Sequence, residues 1–365
     1  MSNTNAEAEK KGKGAGCLRW LGRAALGMVM LLLGAAAVGA IYQAAATARD
    51  AKTYKLADQM VEVNGTQMRL DCRGSGRPTV VLEAGGQSSG TVWVWVQDEV
   101  AKFTRVCSYD RAGSGWSNPI QEELSPRKAA EMLHVLLENG GEQPPYLMVG
   151  HSLGGIFIRA FTAEYPDDVV GMVLVDSSHD NQAELIPSEF RNSPEWAQAQ
   201  KGYATTFRMY QIAERLGVMR AFKLYDPALA SYHLPEKGQQ AMLAEMYRTG
   251  YWAGVARETE MINAYQSQPR TLNSLGDLPL IVLSVEIDPQ VIYQSYPASF
   301  QPKLTPEMLQ EQVDAFSGLQ DELAALSSRS QHIVVDGEES GHNVQLDAPE
   351  LVIDAIREVF GQAAG

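Results

Sequence analysis

Mostly apolar runs alternate with segments of helical periodicity along most of the chain. The runs lie at residues 79–83, 146–149, 169–175, 278–284 and 332–335. A run without charges, such as 278–284, suits a strand of a parallel sheet, because such strands are buried on both faces. Apolar side chains at helical spacing occupy other segments, for example 156–165 and 349–360. The pattern predicts an α/β fold with a mostly parallel sheet and helices on both faces.

Residues 177–271 are too long for an ordinary connection between two strands, where about 2 to 6 residues are usual. Helix-spaced apolar residues recur at 194–216, 236–251 and 253–266, interrupted by Gly and Pro. We expect a small helical lid over the carboxyl ends of the strands, where ligands bind in such sheets. Aromatic and sulfur side chains that could line a pocket there, although most are expected in the lid core, are Trp196, Phe207, Met209, Tyr210, Trp252, Met261 and Tyr265.

The N-terminal part has a different pattern. Residues 24–48 carry no charge and could cross roughly 30 Å of hydrocarbon as a helix. Five basic residues precede them, so the positive-inside rule predicts a cytoplasmic flank at 1–23, a linker at 49–58 and an exported domain beyond it. The alternative is a cleaved signal peptide, favoured by the small residues Ala44 to Ala46, whose product would be secreted or periplasmic.

The run at 146–149 leads into Gly150-His151-Ser152-Leu153-Gly154, which matches the pattern G-x-S-x-G. In this pattern a sharp turn between a strand and a helix exposes the serine hydroxyl. The glycines are needed because side chains there would collide with the neighbouring strand and helix. Ser152 is therefore a candidate nucleophile, near helix N–H groups that could bind an oxyanion.

A serine needs a base, which is itself oriented by an acid. On a strand–turn–helix of this kind the chain order is Ser, acid, His. His342 lies in a loop between the run 332–335 and the helical segment 349–360, at the edge of the sheet where a base could reach Ser152. Among the six histidines, His179 is the rival that we retain.

The acid has three candidates at strand ends. Asp288 follows the run 278–284 and is preferred, because a carboxylate beyond that edge would face the His342 loop. Asp176, at the end of the preceding strand, and Glu286 are the alternatives.

Four motifs, in this order along the chain, carry a resemblance to a known family. They are Thr-Val-Val-Leu-Glu-Ala-Gly-Gly at 79–86, Cys-Ser-Tyr-Asp-Arg-Ala-Gly-Ser-Gly-Trp-Ser at 107–117, the serine turn at 150–154, and Ser-Gly-His at 340–342. From about 61 to 360 the chain resembles the α/β-hydrolase superfamily of serine esterases, lipases and peptidases. The resemblance implies an eight-stranded core at 59–176 and 272–365, with the lid inserted between these parts.

The resemblance also implies an oxyanion hole formed by the backbone N–H groups of Leu153 and Gly86, with Gln87 as an alternative donor. Ala84-Gly85 replaces the common His-Gly pair, which leaves the backbone donors in place. Val285 stands where a glycine often precedes the acid loop.

The family's sheet order makes neighbours of the strands that carry Cys72 and Cys107. A disulfide between them is therefore conceivable, which would suit an exported domain, and two buried free thiols are the alternative.

The formal charge of −14 argues against nucleic acid as a partner, because such a surface repels a phosphate backbone. The sequence contains no P-loop, no dinucleotide fingerprint after the first strand and no His/Cys cluster at metal-ligand spacing. We therefore expect hydrolysis without a cofactor or a metal.

These features together predict a serine hydrolase that cleaves a small-molecule or lipid-like carboxylic ester through an acyl-enzyme. A peptidase of the proline-iminopeptidase kind, a lactonase and an acyltransferase are alternatives. A catalytically silent hydrolase fold that serves as a binding module is an alternative of another class. The serine at the turn disfavours dehalogenases and epoxide hydrolases, whose nucleophile is an aspartate.

Overall fold

The computed structural model describes residues 3–54, 59–122, 124–230, 232–265 and 272–363. An eight-stranded sheet forms its centre. The strands are β1 (Met60–Val63), β2 (Thr66–Arg73), β3 (Thr79–Glu83), β4 (Val106–Tyr109), β5 (Tyr146–His151), β6 (Val169–Val175), β7 (Leu280–Val285) and β8 (Ser330–Val335). Their order is β1-β2-β4-β3-β5-β6-β7-β8. Strands β1, β2 and β4 pair in antiparallel fashion and all other pairs are parallel, so the predicted fold class is confirmed.

Helices cover both faces of the sheet and fill the insertions. They are α1 (Asn3–Tyr54), α2 (Val94–Val100), α3 (Pro126–Asn139), α4 (Gly154–Glu164), α5 (Ser188–Arg191), α6 (Pro194–Arg215), α7 (Val218–Ala221), α8 (Asp226–Leu229), α9 (Glu236–Met246), α10 (Tyr251–Tyr265), α11 (Pro289–Ser295), α12 (Pro306–Ala324), α13 (Val344–Asp347) and α14 (Pro349–Ala363).

Alternate residues of each central strand enter opposite cores. Val80 and Leu82 of β3 pack in the same cluster as apolar residues of α2 and α14. Val81, between them, packs in the second cluster, with residues of α3 and α4. Every residue of β3, β5 and β7 is buried, because helices cover both faces of these strands. The buried sheet is a rigid base for the loops at the carboxyl ends of its strands.

Cys72 and Cys107 lie opposite each other in the antiparallel pair of β2 and β4, with their Cα atoms 4.0 Å apart. They form a disulfide bond. Of the two alternatives from the sequence, the structure therefore has the disulfide rather than two free thiols. The bond fastens the antiparallel edge of the sheet to its parallel part.

Among the residues that the structure describes between β6 and β7, where the sequence predicts a lid, there are six helices, α5 to α10. A second helical segment lies between β7 and β8 and was not predicted as an insertion. It contains α11 and α12, which pack against each other. Phe300, between these two helices, packs with Phe190 and Trp196 of the first segment. The two insertions therefore join over one part of the core.

Helix α1 is continuous from Asn3 to Tyr54. Its part Trp20–Tyr54 is long and apolar enough to cross a membrane, with a mean hydropathy of 2.3 over its most apolar 18-residue window, of which 0% is buried. The last turns of α1 contact α6 and α9 of the lid. The N-terminal apolar helix expected from the sequence is thus present.

Candidate active site

Ser152 lies at the turn between β5 and α4, with a φ of 52°. A Cβ atom at Gly150 would come within 2.8 Å of the Gly154 backbone, and one at Gly154 within 2.6 Å of the Glu83 carbonyl oxygen. Neither position has room for a side chain. The two glycines of the motif therefore permit the tight turn, and the positive φ of Ser152 is the strain that the turn imposes.

His342 lies in the loop between β8 and α13, and its ring bridges two groups. Its Nε2 is 2.9 Å from the Ser152 Oγ. Its Nδ1 is 2.5 Å from Oδ2 of Asp176. Because a carboxylate only accepts, Nδ1–H donates to Asp176 and Nε2 is left to accept the serine proton. The structure thus brings Ser152 and His342 together as expected.

The acid beside His342 is Asp176, and the preference for Asp288 is corrected by this geometry. Asp176 directly follows β6, the neighbour of the strand that carries Ser152, and its other oxygen accepts from the Val285 N–H at 3.1 Å. Asp288 lies three residues beyond β7, where the chain has already turned into α11. Its side chain caps that helix by accepting from the Gln290 N–H at 2.7 Å.

The remaining candidates do not reach the imidazole of His342 within the described part of the chain. The Glu286 N–H donates to the Val335 carbonyl, which continues the sheet, while its side chain lines the cleft described below. His179 is buried and pairs with Glu322. The sequence named Asp176 as an alternative. Only the strand order shows why Asp176 lies closer to His342 than Asp288 does.

The proposed oxyanion donors lie side by side. A Cβ atom at Gly86 would be 3.4 Å from the Leu153 side chain. Among the described residues, neither the Leu153 N–H nor the Gly86 N–H has a hydrogen-bond partner. The alternative donor is engaged, since the Gln87 N–H donates to Glu258 of α10.

A buried ionic cluster holds the loop that carries Gly86. Arg111 donates to the carbonyls of Ala84 and Gly85, at 2.6 and 2.7 Å. In a trans peptide the N–H points opposite to the C=O, so the Gly86 N–H points away from Arg111. Arg111 also pairs with Glu83 and Glu258, each at 2.5 Å.

The ionic cluster contains two carboxylates and one guanidinium, all nearly inaccessible to water. Burial raises the pKa of Glu83 to about 7, against the lowering effect of Arg111. Glu83 and Arg111 belong to two of the sequence motifs, but the motifs assign neither residue a role. Glu258 was not named from the sequence. Glu83, a carboxylate at the end of the buried strand β3, was the signal that could have pointed to a buried cationic partner.

His151, next to the nucleophile, supports the His342 loop. Its Nε2 donates to the His342 carbonyl at 2.8 Å, and Gln345 lies 3.3 Å from its Nδ1. Burial lowers the pKa of His151 to about 3, and the neighbouring His342 contributes to this shift. A neutral His151 therefore fixes the backbone from which the base projects.

A family model described as the α/β-hydrolase fold matches residues 78–256, which include the serine turn and the loop that carries Gly86. The sheet order and the placement of Ser152 between β5 and α4 agree with that match. The chain has the α/β-hydrolase fold and is similar in sequence to members of that superfamily.

Similar proteins cover different shares of this chain. An AB hydrolase superfamily protein of Gibberella zeae is 25% identical over 324 residues, which are 83% of this chain and 95% of that protein. A vacuolar membrane protein of Saccharomyces cerevisiae is 33% identical over 139 residues, 36% of this chain, and the match spans 21% of its length. The chain thus corresponds to about a fifth of that relative.

Solved structures share the fold at low identity. An epoxide hydrolase from Bacillus megaterium superposes with a TM-score of 0.58 at 16% identity, covering 83% of this chain and all of that one. Est816, described as an N-acyl homoserine lactone degrading enzyme, superposes with a TM-score of 0.52 at 16% identity, covering 82% and 99%. At this identity the likeness concerns the fold alone.

A cleft of about 1110 Å³ opens beside Ser152 and His342. One wall comes from Ile292 of α11, Tyr296 directly after it, and Phe316 of α12. The second insertion, which the sequence did not predict, therefore helps to shape the site. Besides Asp176, four acidic residues line the cleft, namely Glu286, Asp288, Asp336 and Glu338.

Most of the aromatic side chains that the sequence proposed for a pocket contact other aromatic residues of the helical segments. Phe207 and Tyr210 lie against Trp252, and Trp196 lies against Tyr296 and Phe300. Met261 is buried in the cluster of Leu153, and Met209 is 64% exposed. The side chain of Tyr265 lies outside the described residues.

The potential metal ligands that the described residues bring together are Cys72, Cys107 and Glu142. Both sulfurs belong to the disulfide, so this group offers no thiolate.

Proposed function

We propose that this α/β-hydrolase is a membrane-anchored serine hydrolase that cleaves carboxylic esters. The observation that carries the proposal is the continuous relay from the Ser152 Oγ to His342, at 2.9 Å, and from His342 to Asp176, at 2.5 Å. These distances suit a nucleophile activated by a base that an acid orients.

In the proposed reaction the Ser152 oxygen attacks the ester carbonyl carbon while His342 Nε2 takes the serine proton. Asp176 stays ionised and stabilises the imidazolium that forms. The Leu153 and Gly86 N–H groups donate to the oxygen that becomes negative, and one such donor is worth about 2.7 to 4 kcal/mol. His342 then protonates the departing alcohol, which leaves an acyl-enzyme on Ser152.

Water completes the cycle. His342 takes a proton from a water molecule as its oxygen attacks the acyl carbon. The second tetrahedral intermediate collapses, the acid leaves, and His342 returns the proton to Ser152.

We propose that the ester is small or lipid-like. The alternative substrates would be cleaved by the same three residues, Ser152, His342 and Asp176. A lactone is a cyclic ester, and Est816 is described as acting on one. A human relative, 28% identical over 33% of this chain, is named a (lyso)-N-acylphosphatidylethanolamine lipase. A proline-iminopeptidase-like peptidase and an acyltransferase remain the other enzymatic alternatives, and a silent binding module remains the alternative outside catalysis.

The anchor is supported by contacts that a signal peptidase would remove. The Gln43 side chain is 2% exposed and donates to the Tyr247 carbonyl of the lid at 2.6 Å. Cleavage after the small residues that end at Ala46 would remove this buried hydrogen bond, and only the longer one from Arg220, at 3.4 Å, would remain at the Tyr247 carbonyl. We therefore favour an uncleaved α1, with its basic flank in the cytoplasm and the catalytic domain outside.

A fluorophosphonate probe tests the proposed chemistry directly. The full chain in detergent should be labelled at one serine, and Ser152→Ala should abolish labelling because the activated oxygen is lost. Ser178→Ala, which changes a serine that also lines the cleft, is the matched control and should still be labelled. Labelling that persists in Ser152→Ala would contradict the assignment.

The substrate class is tested with p-nitrophenyl esters of graded chain length, together with lactones and proline amides. We expect the esters to be hydrolysed faster than the proline amides. An intact chain that turns over proline amides best would favour the peptidase instead.

A further inference from the structure

Exposed large apolar side chains are concentrated in one segment of the lid. Outside α1, ten such residues are exposed among those that the structure describes. Seven of the ten lie within residues 203–224, namely Tyr203, Met209, Tyr210, Ile212, Val218, Phe222 and Leu224. We call residues 203–224 the apolar lid segment. Isolated exposed apolar residues need no explanation, whereas a cluster of this kind marks a contact surface.

The apolar lid segment is also basic, in a chain whose formal net charge is −14. It contains four basic residues, Arg208, Arg215, Arg220 and Lys223, and one acidic residue, so its net charge is +3. The acidic residue, Glu214, is buried and accepts from backbone N–H groups of the lid. Arg208, Arg215 and Lys223 are exposed. Apolar and basic side chains on one segment suit the surface of a membrane with anionic lipids.

The same segment is fastened to α1 by close contacts. A Cβ atom at Gly39 would lie 2.2 Å from the Leu216 carbonyl oxygen, so this glycine allows the helix and the lid to touch. Arg220 pairs with Asp50 at 2.6 Å. Both side chains are mostly buried, at 11% and 10% exposure. The position of the lid relative to α1 is therefore fixed.

The contacts fall at the outer end of the proposed membrane span. The uncharged part of α1 begins at Ala24, and at 1.5 Å per residue Gly39 lies roughly 22 Å further along. Since the hydrocarbon is about 30 Å thick, Gly39 and Leu216 lie several ångströms inside its outer boundary. Asp50 and Arg220 lie roughly 16 Å further out along the helix, at the level of the headgroups or beyond.

We propose that the apolar lid segment is embedded in the outer leaflet of the membrane that α1 crosses. This inference rests on the proposed anchor. Ile212, Val218 and Phe222, which lie within six residues of the Leu216 contact, then reach the boundary between headgroups and acyl chains, where amphipathic segments sit about 5–10 Å deep. The nearby exposed basic side chains face anionic headgroups. The lid of the active site is thereby held on the lipid surface, which suits an ester substrate that resides there.

Lipid contact is measured with an environment-sensitive fluorophore on the full chain. Cys17 is the one cysteine outside the disulfide, so Cys17→Ser leaves no free thiol. Phe222→Cys and Ile212→Cys are then labelled separately with a nitrobenzoxadiazole dye. The labelled chains are reconstituted into vesicles of phosphatidylcholine and phosphatidylglycerol. A nitroxide on the upper acyl chain of added phosphatidylcholine should reduce the emission of both dyes by about twofold, because only a group at the acyl boundary contacts it.

Val334→Cys provides the matched control, because Val334 is an exposed apolar residue, at 58%, on β8 of the core. Its dye should be insensitive to the nitroxide and accessible to iodide in water. Dyes at 222 and 212 that behave like the dye at 334 would overturn the inference. Dyes shielded from iodide but not quenched by the lipid nitroxide would also overturn it, since a second copy of the chain or another protein would then cover the segment.

The proposed anchor and the proposed chemistry are checked on the same vesicles. Alkaline extraction tests the anchor, and fluorophosphonate labelling tests Ser152. A chain that resists extraction and is labelled, but shows no lipid quenching, contradicts the lid inference alone. A chain that alkali releases contradicts the anchor, and the lid inference with it.

Discussion

At the scale of residues, the site depends on which carboxylate meets His342. Asp176 and Asp288 both follow strands, and both line the cleft. Only Asp176 lies within hydrogen-bond distance of the imidazole, and its second oxygen is fixed by the Val285 N–H. The Asp288 side chain instead caps the N-terminus of α11. The two residues therefore form a natural pair for comparison.

Asp176→Asn should reduce turnover of an ester by about 10⁴-fold, because an amide cannot hold the imidazole in the required tautomer. Asp288→Asn should change turnover little, since asparagine also caps a helix. Steady-state kinetics of the two variants measure the difference. A larger loss in Asp288→Asn would return the acid to the end of β7.

His151 makes the stability of the protein sensitive to acid. Its pKa is about 3 in the folded protein and about 6.5 when unfolded, so the unfolded chain binds a proton first as pH falls. His151 therefore reduces the free energy of unfolding progressively from about pH 6.5 down to about pH 3. Glutamine does not titrate, so the free energy of unfolding of His151→Gln should fall less steeply between these pH values.

Apparent melting temperatures of wild type and His151→Gln, measured at several pH values between 7 and 4, test this expectation. The variant is less stable at neutral pH because the bond to the His342 carbonyl changes, so the comparison concerns the slope with pH. Equal slopes would show that His151 is not buried in its neutral form.

At the scale of elements, the helical insertion between β6 and β7 and the loop that carries Gly86 are coupled through α10. Glu258 of this helix accepts from the Gln87 N–H and pairs with Arg111, which in turn binds the carbonyls of Ala84 and Gly85. Arg111 therefore binds the carbonyl groups of the loop that would carry one oxyanion donor. Glu258 binds an N–H group of the same loop from the helical insertion. Glu258 acts as a positioning residue in this view.

Glu258→Ala should lower kcat by about 10-fold, somewhat less than the loss of an oxyanion donor, because the donor remains but its loop is less constrained. KM should change less than kcat, and Glu258→Gln should restore part of the rate, because its amide oxygen can still accept from Gln87. Glu260→Ala, an exposed position on the same helix, is the control and should have wild-type kinetics. A rise in KM with unchanged kcat would instead indicate a role in substrate binding.

At the scale of the whole molecule, a long helix and a hydrolase core meet at the lid. Helix α1 contributes the buried Gln43 and Asp50 to this contact, while most of its apolar surface is exposed. Exposed apolar surface of this extent is stable in lipid rather than in water. The arrangement would hold the cleft close to the membrane.

Expressed in a bacterium, the full chain should sediment with membranes and resist extraction by high salt or alkali, because burial of about 20 apolar residues holds a helix more firmly than surface charge does. Protease added to spheroplasts should digest the hydrolase domain and spare a tag placed before Lys10. A soluble product whose N-terminus lies near Thr47 would show that the segment is a cleaved signal.

The sequence alone determined the features that depend on local chemistry. The apolar runs specified the strands, because parallel strands buried on both faces tolerate few polar residues. The glycines around Ser152 specified the turn, since only residues without Cβ atoms fit there. Tertiary structure decided the features that depend on which strands are neighbours and where connections pass. Strand order placed Asp176 beside His342, and packing assembled Glu83, Arg111 and Glu258 from three distant segments. No local pattern encodes these contacts, because their partners lie far apart in the chain and meet only when the sheet and lid have formed.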